Sequence, residues 1–404
     1  MAKTTLSHPA VGTLGNLTPD EDAKLRQTWA HLLRLCGIDS PVDSSKTSPA
    51  SQTDGHTNGT APPVKSEHAA FRDSLWQFIL GDHPDALALR FLRARKWDVN
   101  AAVEMLVAAA RWRDEIKLHE TVIFDGEDVI LRPEPSALDR EFIAQWRLGK
   151  SYVSGTDREG RLVYVVRVRL HDPSKQSAEA MERYILHSIE SLRLISKPPQ
   201  DQACLVFDLT GFGLGNMDFH VVKFIVQVFE ARYPETLGSV LVHNAPFVFW
   251  GTLMVLSHLS FTLLTCLPGI WSIVKRWLDP NVASKVAFTN GKSGLSRYIA
   301  EDKLLKEYGG KVTTKYEYAE PVAGENDRLR MDEKRAELQS QRWELIGRFE
   351  ELTRGWVAGA DDAGKAEERE AVVRELQACY WRLDPYVRAR THYHRTGAAD
   401  GLGG

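Results

Sequence analysis

An α/β fold with a mixed, largely parallel sheet is the class this sequence predicts, with helical segments before and after it. Three observations carry that prediction. "ACLVFDL" (203–209) and "GSVLVHN" (238–244) are short continuous apolar runs, as expected of strands buried on both faces. "AEAMERYILHSIESLRLI" (178–195) and "DFHVVKFIVQVFEARY" (218–233) alternate with them and have helical periodicity. The 404 residues, 43% hydrophobic and 26% charged, are enough for a large core.

The elements follow in chain order. Residues 1–16 read as a loose tail without the apolar core of a secretory signal. A helix is expected over 17–37. Thr18 is its N-cap, Pro19 its first residue, and Glu21 closes a capping box. Residues 38–67 are rich in Ser, Thr, Pro and Gly and read as a disordered linker. Residues 68–118 hold three short helices, "FRDSLWQFIL", "DALALRFLRARKW" and "NAAVEMLVAAARWRDEI". The turn signal "GTDREGR" precedes a strand, "LVYVVRVRL". Further on, "KRWLDPNVASK" reads as helical and "VAFTN" as a short strand.

After Gly310 the composition becomes highly charged. Two amphipathic helices are expected within 325–392, with Leu338, Leu345, Phe349, Leu352 and Trp356 on one stripe. Val372, Leu376, Cys379, Leu383 and Val387 form the other. They read as a hairpin or as a solvated appendage. The net charge of -3 gives no global basic field, so no nucleic-acid partner is expected. The four cysteines, at 36, 204, 266 and 379, contain no CxxC pair, which fits a reducing compartment and neither a disulfide framework nor a zinc site.

A resemblance then appears, carried by motifs in a fixed order. "LRFLRARKWDVNAAVEML…RWR", "GTDREGRLVYVVRV", "VFDLTGFG", "YPETLG", "HNAPFVFW" and "WLDPNVASKVAFT" together resemble the CRAL-TRIO family, in its fungal phosphatidylinositol transfer protein-like branch. The likeness covers about residues 69–312. It implies a helical N-terminal lobe and, over 140–312, a lipid-binding lobe whose sheet and helices enclose an apolar cavity closed by a mobile helix. It also implies a non-catalytic carrier of a phospholipid, phosphatidylinositol, moving between cytosolic membrane faces. The alternative is a lipid-sensing adaptor that recruits a partner without net transport. On either reading the chain is a cytoplasmic monomer, peripherally associated with internal membranes, with a bound phospholipid and neither cofactor nor metal.

The task has a physical scale. Each buried methylene is worth ~0.8 kcal/mol, so hiding two long acyl chains amounts to on the order of 25 kcal/mol. Candidate cavity and gate residues are Val221, Phe224, Ile225, Val228, Phe229, Phe247, Val248, Phe249, Trp250, Ile270, Trp271, Ile273 and Trp277. Read singly, each also suits plain core. For the headgroup the resemblance points to Arg95, Lys96, Glu235 and Lys285. Cations suit a phosphodiester, and a carboxylate accepts from inositol hydroxyls. Ala203 and Leu205 stand where phosphatidylcholine-binding members carry hydroxyls, and Thr236 where they carry Arg. Choline-headgroup binding is therefore not expected.

Other motifs carry less. "NGKSG" (290–294) lacks the earlier glycine of a phosphate-binding loop, and Asp208, His243 and Ser257 have no GxSxG elbow. "THYH" has no cysteine or acidic neighbour to complete a metal site.

From Thr236 to Val274 there is no Asp, Glu, Lys or Arg. Within this run, Gly251 to Pro268 interrupts the family pattern, and joining Trp250 to Gly269 restores it. The first reading is a short intron translated in frame, since suitable Gly and Pro codons let the block begin GT and end AG. A second is an apolar loop that dips into membranes. A transmembrane helix is long enough but contains Ser257, His258, Ser260, Thr262 and Thr265. Sequencing the transcript separates these: the first reading expects a cDNA lacking three times 18, or 54, nucleotides, and a cDNA retaining them contradicts it.

Overall fold

The computed structural model describes residues 11–38, 66–196, 200–250, 253–254, 266–267, 269–359 and 363–399. These fall into two compact units, one of residues 8–124 and 327–388, the other of 125–326 and 389–402.

The first unit is helical: α1 (Pro19–Leu35), α2 (Glu67–Ile79), α3 (Pro84–Ala94) and α4 (Val99–Glu115). The Thr18 capping box forms as read, and Asp98 caps α4. Within the second unit, α5 (Ala137–Arg147) leads to β1 (Ser151–Thr156) and β2 (Leu162–Arg167). Then come α6 (Ala178–Ile195), β3 (Ala203–Asp208), α7 (Phe219–Ala231) and β4 (Leu237–His243). Short elements follow: α8 (Phe247–Trp250), β5 (Leu253–Met254), β6 (Cys266–Leu267), α9 (Ile270–Val274), α10 (Pro280–Ser284), β7 (Val286–Thr289) and α11 (Gly291–Leu295). The chain then returns to the first unit with α12 (Asp332–Val357) and α13 (Ala363–Val387).

The sheet order is β1-β2-β3-β4-β7, and only the β1–β2 pair is antiparallel. β1 escapes the sequence pattern because "SYVSGT" is a polar edge strand with one long apolar pair, Tyr152 and Val153. β2 stops at Arg167, and Val168–Leu170 forms a 3-10 turn in place of the longer strand expected. The linker expected over 38–67 and the tail over 1–16 lie mostly outside the described residues. So does most of the insert 251–268, of which only the antiparallel β5–β6 backbone pair is described. No helix among the described residues is long and apolar enough to cross a membrane.

The C-terminal helices are part of the first unit's core rather than a solvated appendage. On α13 the buried stripe is the expected Val372, Leu376, Cys379, Leu383 and Val387. On α12 it is shifted to Leu338, Arg342, Ile346, Phe349, Glu350 and Thr353. Buried charge explains the shift. The Arg72 guanidinium grips Glu350 through Nη2, 2.6 Å from Oε2, and Trp76 Nε1 donates to Glu350 Oε1 at 2.9 Å. Arg369 donates to both oxygens of the buried Asp85 at 2.7 and 2.6 Å, and Trp29 Nε1 donates to the same carboxylate at 2.7 Å. Arg369 also lies 4.4 Å from the centre of the Phe349 ring. His83, Asp85 and Glu370 bring ligand-type atoms within 4.8 Å of one another. Both Asp85 oxygens are already committed to Arg369, so the group is an ion-pair network.

Burial alone would push the Asp85 carboxyl up, but Arg369 overcomes it and holds the carboxyl below its usual range. A carboxylate depressed by folding stabilises above its unfolded pKa, and that stabilisation is lost as pH falls through the folded value. Arg369→Leu leaves the Asp85 charge buried without its partner and is expected to cost ~3–5 kcal/mol at neutral pH. The cost should shrink on acidification below the carboxylate range. Urea unfolding followed against pH measures it; a cost under ~1 kcal/mol at pH 7 contradicts the assignment.

Candidate functional site

Side-chain alternation gives the sheet two apolar faces. Val163 and Val165 of β2, Cys204 and Val206 of β3, and Leu241 of β4 point to one face. There they are covered by Leu295, Ile299, Leu304, Leu305 and Tyr308 from the chain after β7. Tyr164, Leu205 and Val240 share the opposite face, where Tyr164 pairs with Leu205 and Leu205 with Val240 in the strand register. Leu192 of α6 and Phe229 of α7 pack onto part of that face. The face also lines a cavity of about 240 Å³, with Val166, Phe207, Val242 and Val286. A single water needs ~10–15 Å³, so this is a chamber and not a packing defect.

The chamber's other walls are helical. α6 contributes Ile185, Ile189 and Leu192. α7 starts at the cap made by Asp218, whose Oδ1 accepts from Val221 N at 3.1 Å. Its Val221, Val222, Ile225, Val226 and Phe229 face the chamber at spacings of one and four residues, one stripe of a helix. Only Val221 and Val228 of this apolar helix are buried. Of the apolar residues singled out from the sequence, Val221, Ile225, Phe229, Phe249, Ile270 and Trp271 line the chamber. Val228 is buried, and Phe224 and Ile273 are half-buried beside the lining positions. Trp277 packs edge-on against Phe219 at 5.8 Å. Val248 packs on the Phe249 and Ile270 cluster. Phe247 is 83% exposed and Trp250 49% exposed, with the Trp250 ring 4.1 Å from that of Phe288.

Two polar groupings flank this apolar space, at opposite ends of the parallel strands. Glu235 and Lys285 stand just before β4 and β7. Lys285 Nζ donates to Glu235 Oε2 at 3.1 Å, and Asn281 Nδ2 donates to Oε1 at 2.8 Å. Glu235 has φ of +57°, a left-handed conformation that costs of order 1–3 kcal/mol in a residue other than glycine. Its neighbours Leu237, Val282 and Val286 line the chamber. Arg95 and Lys96 belong to the first unit, where both are exposed at the C-terminal end of α3. The structure thus pairs Glu235 with Lys285, and places Arg95 next to Lys96 in the other unit.

The second grouping was not anticipated. Lys150 precedes β1, and its carbonyl accepts from Arg167 N at 2.8 Å, at the far end of β2. Gly149 makes the turn before it with φ of +61°, and a Cβ there would meet the Tyr316 ring at 2.6 Å. Lys150 is 3% exposed and lines the chamber. Its Nζ lies 3.1 Å from His171 Nδ1, and His171 Nε2 lies 3.2 Å from Asp218 Oδ2. Ser151 Oγ sits 2.6 Å from the hydroxyls of both Tyr164 and Tyr184. Burial pushes the Lys150 amine down to about 8, against the pull of Asp172 and Asp218. A lone lysine after a glycine reads as a surface turn, so nothing in the sequence marked it.

The motifs set aside stay apart from this chamber's chemistry. His243 Nδ1 meets Thr289 Oγ1 at 3.0 Å, and Asp208 is held by Arg169 and Tyr308 at 2.9 Å each. Ser257 lies outside the described residues. "NGKSG" forms the start of the short α11, and His394 Nδ1 accepts from Thr391 N at 3.0 Å.

Fold and site together define an α/β protein with an apolar chamber on one face of its sheet. The CRAL/TRIO domain family model matches residues 147–260 and 265–310, and the CRAL/TRIO N-terminal domain matches 51–108. A CRAL-TRIO domain-containing protein of Schizosaccharomyces pombe is 34% identical, over 95% of this chain and 91% of its own length. The phosphatidylinositol transfer protein CSR1 of Eremothecium gossypii is 32% identical, over 96% of this chain and 98% of its own. The crystal structure of Sfh5 covers 57% of this chain and 75% of its own, at 18% identity and a TM-score of 0.43. The chain belongs to the CRAL/TRIO family.

Proposed function

We propose that this protein binds one phospholipid, phosphatidylinositol, and exchanges it between the cytosolic faces of membranes without catalysis. The observation that carries this reading is the chamber: residues from all five strands of the sheet line one apolar cavity beneath α6 and α7. The acyl chains lie against β2, β3 and β4 under α7. Burying them there recovers the ~0.8 kcal/mol per methylene that water would otherwise charge. Family membership and the similarity to a protein named as a phosphatidylinositol transfer protein support the ligand class.

The headgroup is assigned to the chamber end marked by Glu235 and Lys285. A backbone outlier maintained at Glu235 is the kind of strain that functional positions retain. Lys285 supplies charge to a phosphodiester, and Glu235 accepts from ring hydroxyls. Arg95 and Lys96 are assigned to the headgroup on the resemblance. Leu214, Phe219, Phe247 and Trp250 expose apolar surface on the same unit as the chamber. They provide the contact with the bilayer at which the roof opens, so that the protein works as a peripheral, cytoplasmic carrier.

Transfer of labelled phosphatidylinositol between vesicles tests this. Each charge-assisted hydrogen bond is worth ~1.5–3 kcal/mol, so Lys285→Ala together with Arg95→Ala is expected to reduce transfer about a hundredfold or more. The thermal unfolding of the variant should remain cooperative. Unchanged transfer removes these residues from the site.

A further inference from the structure

Lys150 is a buried cation on the wall of an apolar chamber, and its surroundings do not complete it. An ammonium has three N–H donors. One meets His171 Nδ1 at 3.1 Å, and a second points at Met181 Sδ, 3.6 Å away, which is a weak acceptor. Among the described residues no carboxylate forms a direct ion pair with it, and the third donor has no acceptor. His171 accepts from Lys150 on Nδ1, so in its neutral form it donates from Nε2 to Asp218. Asp218 in turn is fixed as the cap of α7. The relay orients the lysine without neutralising it at close range. A buried charge lacking a partner is costly, and a ligand anion at Nζ would supply that partner.

The position of Lys150 separates it from the Glu235–Lys285 pair. Lys150 sits level with Arg167, which pairs with Asp208, which pairs with His243, at the C-terminal ends of the parallel strands. Glu235 and Lys285 precede their strands. Lys285 is level with Ser239, four residues from His243, and Glu235 is eight residues from it, so the two levels lie roughly 13 to 26 Å apart along the strand direction at ~3.3 Å per residue. Beyond Lys150 and its relay the lining is mostly apolar; the exceptions are the Ser151, Tyr164 and Tyr184 hydroxyl cluster beside Lys150, Ser188, whose hydroxyl donates to Tyr184 O, and Asn216, whose amide donates to the carbonyls of Arg169 and His171.

We infer that Lys150, oriented by His171 and Asp218, is an internal anchor for the acidic end group, carboxylate or phosphate, of a long-chain ligand lying in the chamber. This rests on the reading of the chamber as a lipid site. It adds an anion preference at the end opposite the phosphatidylinositol headgroup. The depressed pKa of the amine fits a group that awaits a counter-ion.

Binding of three probes of equal chain length tests the anchor: a fatty acid, its methyl ester, and a lysophosphatidic acid. The wild-type protein is expected to prefer at least one acid over the ester by tenfold or more, and the preferred acid identifies the source of the anion. In Lys150→Met, which keeps the length and apolar bulk of the side chain, that preference falls below threefold. In Lys150→Arg it is retained. A wild-type preference below threefold overturns the anchor, as does a Lys150→Met variant that keeps the full preference. Ester binding without acid preference sinks the anchor alone. If none of the three probes binds, the chamber reading fails with it.

Discussion

A sheet with two apolar faces, one closed by the chain's own residues and the other covered only in part, is the constraint from which the rest follows. The face carrying Val163, Val165, Cys204, Val206 and Leu241 is closed by the chain's own residues 295–308. The face carrying Tyr164, Leu205 and Val240 is partly covered by Leu192 and Phe229 and otherwise lines the apolar chamber. Interiors are normally packed as densely as organic crystals, so a void of this size is expensive to keep. α7 shows the same arrangement from above: it carries an apolar stripe, yet only Val221 and Val228 are fully buried and Val222, Ile225, Val226 and Phe229 face the chamber half-buried.

The two units solve different problems. In the helical unit, charge is used to lock packing: Asp85 with Arg369, and Glu350 with Arg72 and Trp76, are paired inside an aromatic core of Trp29, Trp76 and Phe349. The α/β unit also buries ion pairs, Glu127 with Arg395 and Glu190 with Arg193, but around the chamber charge stands at the ends of the strands and the middle is mostly apolar. The Glu235–Lys285 pair marks one end, and the Lys150–His171–Asp218 relay the other. A chamber with polar ends and an apolar middle selects for amphiphiles, because only they satisfy both parts at once.

Much of this was legible in the sequence, for physical reasons. β3 and β4 announce themselves because strands buried on both faces have no polar alternation to confuse the pattern. The Thr18 capping box and the α13 stripe are local, and local signals survive translation into structure. What was missed depends on contacts between distant residues. Arg369 lies 284 positions from Asp85, so no window of sequence could show that a charged face of α12 and α13 is buried. β1 is short, polar and at an edge, and with it went the means to place Lys150 beside the chamber. The assignment of Arg95, Lys96, Glu235 and Lys285 came from resemblance rather than pattern, and the pairing of Glu235 with Lys285 is the part that geometry adds.

The central claim is that the chamber over the sheet is occupied by lipid in the working protein. Native mass spectrometry of the protein purified from a eukaryotic host, without detergent, measures this directly. The account expects a population carrying one phospholipid per chain, with phosphatidylinositol identified on release. A protein that emerges at its bare mass, and stays there after incubation with phosphatidylinositol vesicles, would contradict it.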